Sequence, residues 1–215
     1  MNTNYLETTL TKAREFRTDF KCQLNGISST FRYIKHQRRT GIKIDTGAQG
    51  TLIPLRTLGW TSYQIDNLIN KYLYYDRKAF SVIHGVETIN MISDSDLQSM
   101  TDDQIRKFQG LAIRLKADYL KIGEYEIFDK EIRVTTQTIG NILLGMDIMK
   151  DWDIHIGKDN KTNETIFLAC PINKINQDYL LALEEHFGLG ARVSAAIVNN
   201  SIKIKDNLDD NLYNT

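Results

Sequence analysis

The chain is poor in the features that sort a protein quickly into a class. It has two cysteines, Cys22 and Cys170, too few for a disulfide framework, and both are expected to be buried thiols. Lysine and arginine total 27, and aspartate and glutamate also total 27, so the formal charge is zero. A balanced chain has no net field to draw it to nucleic acid or to an anionic membrane. No stretch approaches the roughly 20 apolar residues of a membrane span. The opening MNTNYLETTLTKAREF has no apolar core of signal-peptide length. His36, His84, His155 and His186 are scattered, and no Cys/His cluster has the spacing of zinc ligands. No internal repeat is visible. These absences predict a soluble, cytoplasmic chain that needs no metal and no cofactor and has no nucleic-acid or membrane partner. Its 215 residues suffice for a sizeable core in one domain with a small appendage.

Two local charge clusters have simple explanations. Arg32, Lys35, Arg38 and Arg39, with Tyr33 among them, read as a solvated hairpin tip. Asp94, Asp96, Asp102 and Asp103 suit helix N-termini, where the backbone N–H groups favour negative charge, better than they suit a metal.

Periodicity supplies most of the element expectations. Leu6, Leu10, Ala13 and Phe16 have the spacing of a short helix within residues 1–18. Phe20, Cys22 and Leu24 alternate, Asn25-Gly26 is a strong hairpin turn, and Phe31 and Tyr33 alternate again. Thr51–Leu55 continues as apolar strand, with Pro54 limiting its pairing. Over residues 61–73 the period changes to that of a helix, with Thr61 and Gln64 as a capping box. Ala79–Ile83 then predicts a strand entering a hairpin with Gly85 at its tip. A second helical stretch has Thr101 and Gln104 as its capping box and Gly110 as its stop. Alternation returns in Leu111–Ala117 and Ile127–Val134, on either side of Gly123, and again around Trp152–Ile156 and Thr165–Cys170. Residues 174–187 predict an amphipathic helix closed by Gly188, and the Asn/Asp-rich tail is expected to fray. The sum is a mainly β fold with two or three helices.

Two stretches carry chemistry. Gly41–Gly50 reads Gly-Ile-Lys-Ile-Asp-Thr-Gly-Ala-Gln-Gly: a short strand delivers Asp45 into a loop of small residues, with Gly47 expected to take backbone angles closed to larger residues. Asn141–Asp147 is an apolar run ending at Gly145. An aspartyl nucleophile of the phosphatase type would need a second acid or a lysine beside the first, and Asp45 has Thr46 and Gly47. Together the Asp-Thr-Gly-Ala loop and the Leu-Leu-Gly strand resemble the retropepsin-like, or retroviral-type, aspartic peptidases. The resemblance covers roughly residues 20–157.

That resemblance implies a single-lobe, retropepsin-like closed β-barrel with two or three added helices. The expected organisation is an N-terminal extension over 1–18, the protease domain over 19–157, a dimer-forming strand and helix over 158–190, and a flexible polar tail over 191–215. An aspartic peptidase needs two carboxylates sharing one proton. The chain has one Asp-Thr-Gly and no second, so the resemblance implies a catalytic homodimer acting on a polypeptide substrate. In it Asp45 supplies the carboxylate, Thr46 braces the two loops across the axis, and Gly47 offers its carbonyl to the peptide. Ala48 borders the pocket, and His84, Gly85 and Val86 form the flap that closes over substrate. Leu143 and Leu144 pack beneath the loop, and Gly145 permits close approach. The chain departs from the family where an Asp and an Arg commonly pair at the dimer base; Gln49 and Met146 stand there instead. The alternatives are a non-catalytic peptide-binding or dimerisation module of the same fold, and an inactive monomer awaiting a trigger.

Overall fold

The structure is a computed structural model and describes residues 5–35, 37, 40–83, 92–136 and 140–189. Short runs of alternating character make the strands β1 (Leu6–Thr9), β2 (Phe16–Thr18), β3 (Phe20–Leu24), β4 (Ile27–Phe31), β5 (Ile42–Ile44) and β6 (Leu52–Pro54). Helix α1 (Ser62–Tyr75) follows, then β7 (Phe80–Val82) and the short helices α2 (Asp94–Ser99) and α3 (Asp102–Lys107). Two long strands, β8 (Leu111–Ile122) and β9 (Tyr125–Thr135), lead to β10 (Ile142–Leu144) and a single turn, α4 (Met146–Met149). The last elements are β11 (Trp152–Lys158), β12 (Thr165–Pro171) and α5 (Gln177–Phe187). The chain divides into two compact units: one is Thr11–Asp151, and the other joins Met1–Leu10 to Trp152–Thr215. Among the described residues no helix is long and apolar enough to cross a membrane.

In the larger unit nine strands form one sheet, in the order β2-β5-β10-β6-β9-β8-β3-β4, with β7 also on β8. Twelve-residue β8 is long enough to hold β7 along its first residues and β3 along its last. The connectivity forces curvature. Strands β2 and β3 are first and seventh in the order, yet Asp19 alone separates them. A flat sheet would set them roughly 29 Å apart at about 4.8 Å per strand, whereas one intervening residue spans at most about 7 Å. The sheet therefore curls until its two ends meet through the chain. Gly41 sits at that corner with φ +64°; a Cβ there would lie 2.3 Å from the Thr18 carbonyl oxygen. The closed barrel expected from the resemblance is, among the described residues, a curled sheet whose end strands β2 and β4 do not pair. Its core is apolar and closed: Phe20, Leu24, Ile42, Ile53, Ile113, Val134, Ile142 and Leu144 are at most 1 % exposed.

The smaller unit is a three-stranded antiparallel sheet, β1-β12-β11, with α5 packed on it through Tyr179, Ala182 and Leu183. Gly157 leaves room for the Phe187 ring, which would lie 3.1 Å from a Cβ. Asp159 turns the chain between β11 and β12, accepting from the Thr162 N–H at 2.6 Å, the Thr162 hydroxyl and His186 Nδ1 at 2.8 Å.

Two expectations fail here. The helix expected within residues 1–18 is strand instead, because Leu6–Thr9 find pairing partners Ile166–Ala169 far along the chain. A single short helix is marginal in water, and β-branched Thr8 and Thr9 fit a strand better, so the long-range ladder wins. Five α-helices form among the described residues rather than two or three. The middle helical stretch splits because Ser93 and Thr101 are both N-caps with full capping boxes, and Thr101 must adopt extended angles (φ −69°, ψ 162°). The tail beyond 189 and the flap residues lie outside the described residues.

Candidate active site

Asp45 is placed by two buried strands. Strand β5 runs parallel to β10 with Ile42↔Ile142, Lys43↔Leu143 and Ile44↔Leu144 in register. The ladder extends one step beyond β5, where the Asp45 N–H donates to the Leu144 carbonyl at 3.0 Å. There the chain leaves the sheet, and the Asp45 side chain is 31 % exposed. Its Oδ1 accepts from the Gly47 N–H at 3.1 Å, and its main-chain carbonyl accepts from Ala48 at 3.1 Å, which closes a tight turn. Farther along, Met146 N–H donates to the Ala48 carbonyl at 2.8 Å and Asp147 N–H to the Gln49 carbonyl at 3.1 Å. The loop is thus tied to the chain after β10 along its length.

Two residues that sequence reasoning passed over do the bolting. The Thr51 hydroxyl, fully buried, donates to Asp147 Oδ1 at 2.7 Å and accepts from the Gly145 N–H at 3.1 Å. The Thr51 N–H donates to the same Asp147 oxygen at 2.8 Å. Thr51 and Asp147 lie 96 residues apart, so no local pattern could have paired them.

The glycines divide differently from expectation. Gly47 does not have a positive φ, and a Cβ there would meet Asp45 Oδ1 at an ordinary 3.4 Å. The glycine that the geometry requires is Gly145, where a Cβ would lie 2.4 Å from the Gly50 carbonyl carbon. Leu143 and Leu144 cannot both pack beneath the loop, because successive strand residues face opposite ways. Leu144 is fully buried, and Leu143 lines the open side. Thr46 is exposed. His84, Gly85 and Val86 lie outside the described residues.

A cavity of about 470 Å³ opens beside the loop. Gly47–Gly50 line it together with Leu52, Ile83, Leu143 and Arg133. Behind Asp45 runs a file of charges. Lys43 Nζ is 3.8 Å from Asp45 Oδ2 and 3.5 Å from Glu15 Oε1, and Glu15 receives Arg17 at 2.9 Å. Burial would raise the Glu15 carboxyl, but the Arg17 hydrogen bond and the Arg17 and Lys43 charges outweigh it and hold it below the usual carboxylate range. Arg17, itself buried, also reaches Asn141 Oδ1 at 2.6 Å and the Thr40 carbonyl at 3.1 Å, fastening β2 to the start of β10.

No family model matches the chain, and no curated protein does. Among solved structures the chain is similar to a retropepsin-like aspartic protease from Rickettsia conorii, at 14 % identity and a TM-score of 0.38, over 77 % of this chain and 92 % of that one.

Proposed function

We propose that this chain is an aspartic endopeptidase whose dyad consists of two Asp45 carboxylates, one from each protomer of a homodimer. The observation that carries the proposal is a single one. A carboxylate at the end of a buried strand is held by a hydrogen-bonded turn and open to solvent, and the loop it begins lines a cavity together with Leu52, Ile83 and Leu143. In this reading the curled sheet is the single lobe of an acid-protease barrel, and a two-fold axis passes between the two loops. Two carboxylates at hydrogen-bonding distance share one proton, because ionising both in one site is costly. The ionised partner takes a proton from water as the water attacks the scissile carbonyl. The protonated partner donates to the carbonyl oxygen as charge develops there. Thr46 would brace the two loops against each other. The backbone of Gly47 and the side of Ala48 would border the bound peptide, and His84–Val86 would cover it.

Gln49 and Met146 cannot form an ion pair at the dimer base, so the proposal assigns dimer contacts to residues 158–190. In favour of this, Ile172 and Leu181 are large apolar residues left 61 % and 56 % exposed. Changing both to lysine should shift the sedimenting species toward the monomer.

The deciding measurement is a pH–rate profile on one cleavable peptide, with wild type beside Asp45→Asn. Wild type should give a bell with an acid-side optimum, falling off where both carboxylates are protonated and where both are ionised. Asp45→Asn changes both halves of the dyad at once and should cost at least several powers of ten in kcat/KM while the fold survives. A comparable rate from the variant, or a rate climbing steadily into alkaline pH, would overturn the assignment. A dimer that binds peptide and never cuts it would point to the non-catalytic module.

A further inference from the structure

The strand register places more than Asp45 at this site. Directly paired residues on adjacent strands share a face of the sheet. Lys43 pairs with Leu143, Leu143 with Leu52, Leu52 with Arg133, and Arg133 with Arg114. One transverse row thus crosses five strands, and it begins at Lys43, whose Nζ is 3.8 Å from Asp45 Oδ2 just past the end of β5. Its middle members, Leu143, Leu52 and Arg133, line the cavity. The floor is apolar, and the one charged lining residue is cationic.

We propose that this cavity receives a substrate side chain ending in a carboxylate, and that Arg133 selects it; the inference rests on the peptidase reading above and names its substrate class. Arg133 is exposed, so its guanidinium is open to an incoming anion. Among the described residues it has no ion-pair partner, although ten such pairs form elsewhere. The residue directly across the ladder is Arg114, a like charge, which is an unfavourable cross-strand choice unless an anion is to be bound. Arg114 is turned to the Lys78 carbonyl at 2.9 Å. The next residue on the Arg133 face of β9, Glu131, stands opposite Lys116. An incoming Asp or Glu side chain would lay its methylenes on Leu52 and Leu143 and present two oxygens to a planar, forked donor, which matches a carboxylate better than a lysine would. Leucine would gain the floor alone, and a lysine would be repelled.

The test is a set of peptides identical except that one position is Glu, Gln, Leu or Lys, with the varied position moved through each site flanking the cut. Wild type should favour Glu over Gln by about tenfold in kcat/KM at one flanking position, as a charge-assisted hydrogen bond implies. Arg133→Gln should bring that ratio to about one, and Arg133→Glu should invert it in favour of Lys. If wild type cleaves Glu and Gln peptides equally at every position while Asp45→Asn is inactive, the selectivity proposal falls and the peptidase reading stands. A binding arm separates the opposite case: fluorescence anisotropy of the labelled Glu and Gln peptides on Asp45→Asn chain needs no turnover. Preference for the Glu peptide that disappears in the Asp45→Asn/Arg133→Gln double variant supports the pocket even if wild type cuts nothing. Equal binding of the two peptides overturns it.

Discussion

Replacing Gly145 by alanine should be damaging where the loop meets β10, and its cost can be worked from three distances. The new Cβ would lie 2.4 Å from the Gly50 carbonyl carbon, 2.6 Å from its oxygen and 2.8 Å from the Thr51 nitrogen. All three are backbone atoms, so no side chain can rotate away. Relief requires the loop and β10 to separate by about 1 Å, the gap between 2.4 Å and the 3.4 Å at which ordinary contact begins. The hydrogen bonds across that seam nearest the new methyl include three: Asp45 N–H to Leu144 at 3.0 Å, Met146 N–H to Ala48 at 2.8 Å, and Gly145 N–H to the Thr51 hydroxyl at 3.1 Å. Stretched by that amount they cease to be hydrogen bonds. Each is worth about 1 kcal/mol net, and more where the orphaned group stays buried. Partial loss of the three, or the strain of keeping them, puts the cost of Gly145→Ala at about 2–4 kcal/mol, a large part of the roughly 5–15 kcal/mol that holds a domain folded. Gly47→Ala is the control, because its Cβ meets only Asp45 Oδ1 at 3.4 Å and φ is not positive; it should cost under about 1 kcal/mol. Urea unfolding followed by the fluorescence of Trp60, which is buried in the same unit, measures both as shifts in midpoint. Equal midpoints for the two variants, or a larger loss at Gly47, would refute the seam as described.

Other expectations follow from the same geometry and from the smaller unit. Thr51→Val keeps shape and removes the hydroxyl between Gly145 and Asp147, so it should cost about 2–3 kcal/mol, while Thr51→Ser should recover most of that; equal stability of the two variants would dismiss the hydroxyl's role. Burial pushes the Cys22 thiol up to about 12, and Cys170 is fully buried, so a disulfide reagent at neutral pH should label neither until denaturant is added. Rapid labelling of the native protein would contradict that. Asp159 is held well below the usual carboxylate range, first by the Thr162 hydroxyl and then by His186. Its folded value lies under its unfolded one, so its contribution is complete above about pH 3.9 and is lost as pH falls through the folded value. Asp159→Asn should therefore destabilise the unit of β11, β12 and α5 at neutral pH, with the gap from wild type narrowing in acid; a gap that widens in acid would be the wrong sign.

What could be read from the sequence was local. Asn25-Gly26 announces its hairpin because both residues accept positive φ, 50° and 78° in the structure, and the Thr61 and Thr101 capping boxes need only the residue three positions on. The Asp45 strand and the apolar run before Gly145 were legible for the same reason, the first being a short alternation and the second three apolar residues in a row, each with a small residue after it. The misreadings concern partners far away in the chain. Leu6 becomes strand only because Ala169 lies across from it. Leu143 and Leu144 look equivalent in a run of apolar letters, and only the neighbours β5 and β6 decide which of them faces the cavity.

Arg133 shows why side chains at the site are harder to find than the strand that carries them. In sequence it is one polar residue between Ile132 and Val134, both buried, and alternation alone assigns it to the outer face and predicts nothing more. Its meaning comes from two ladders of opposite sense: β6 meets β9 in parallel and β10 in antiparallel, so Leu52 is the pivot that aligns Arg133 with Leu143. Leu143 is in turn aligned with Lys43, two residues before Asp45. A slip of one residue in either ladder would turn Arg133 to the core side, where an unpaired guanidinium is not tolerated. The buried Ile53↔Val134 pair holds that register, since both side chains are fully enclosed. Core packing on one face of β6 and β9 therefore fixes which charge faces the cavity on the other.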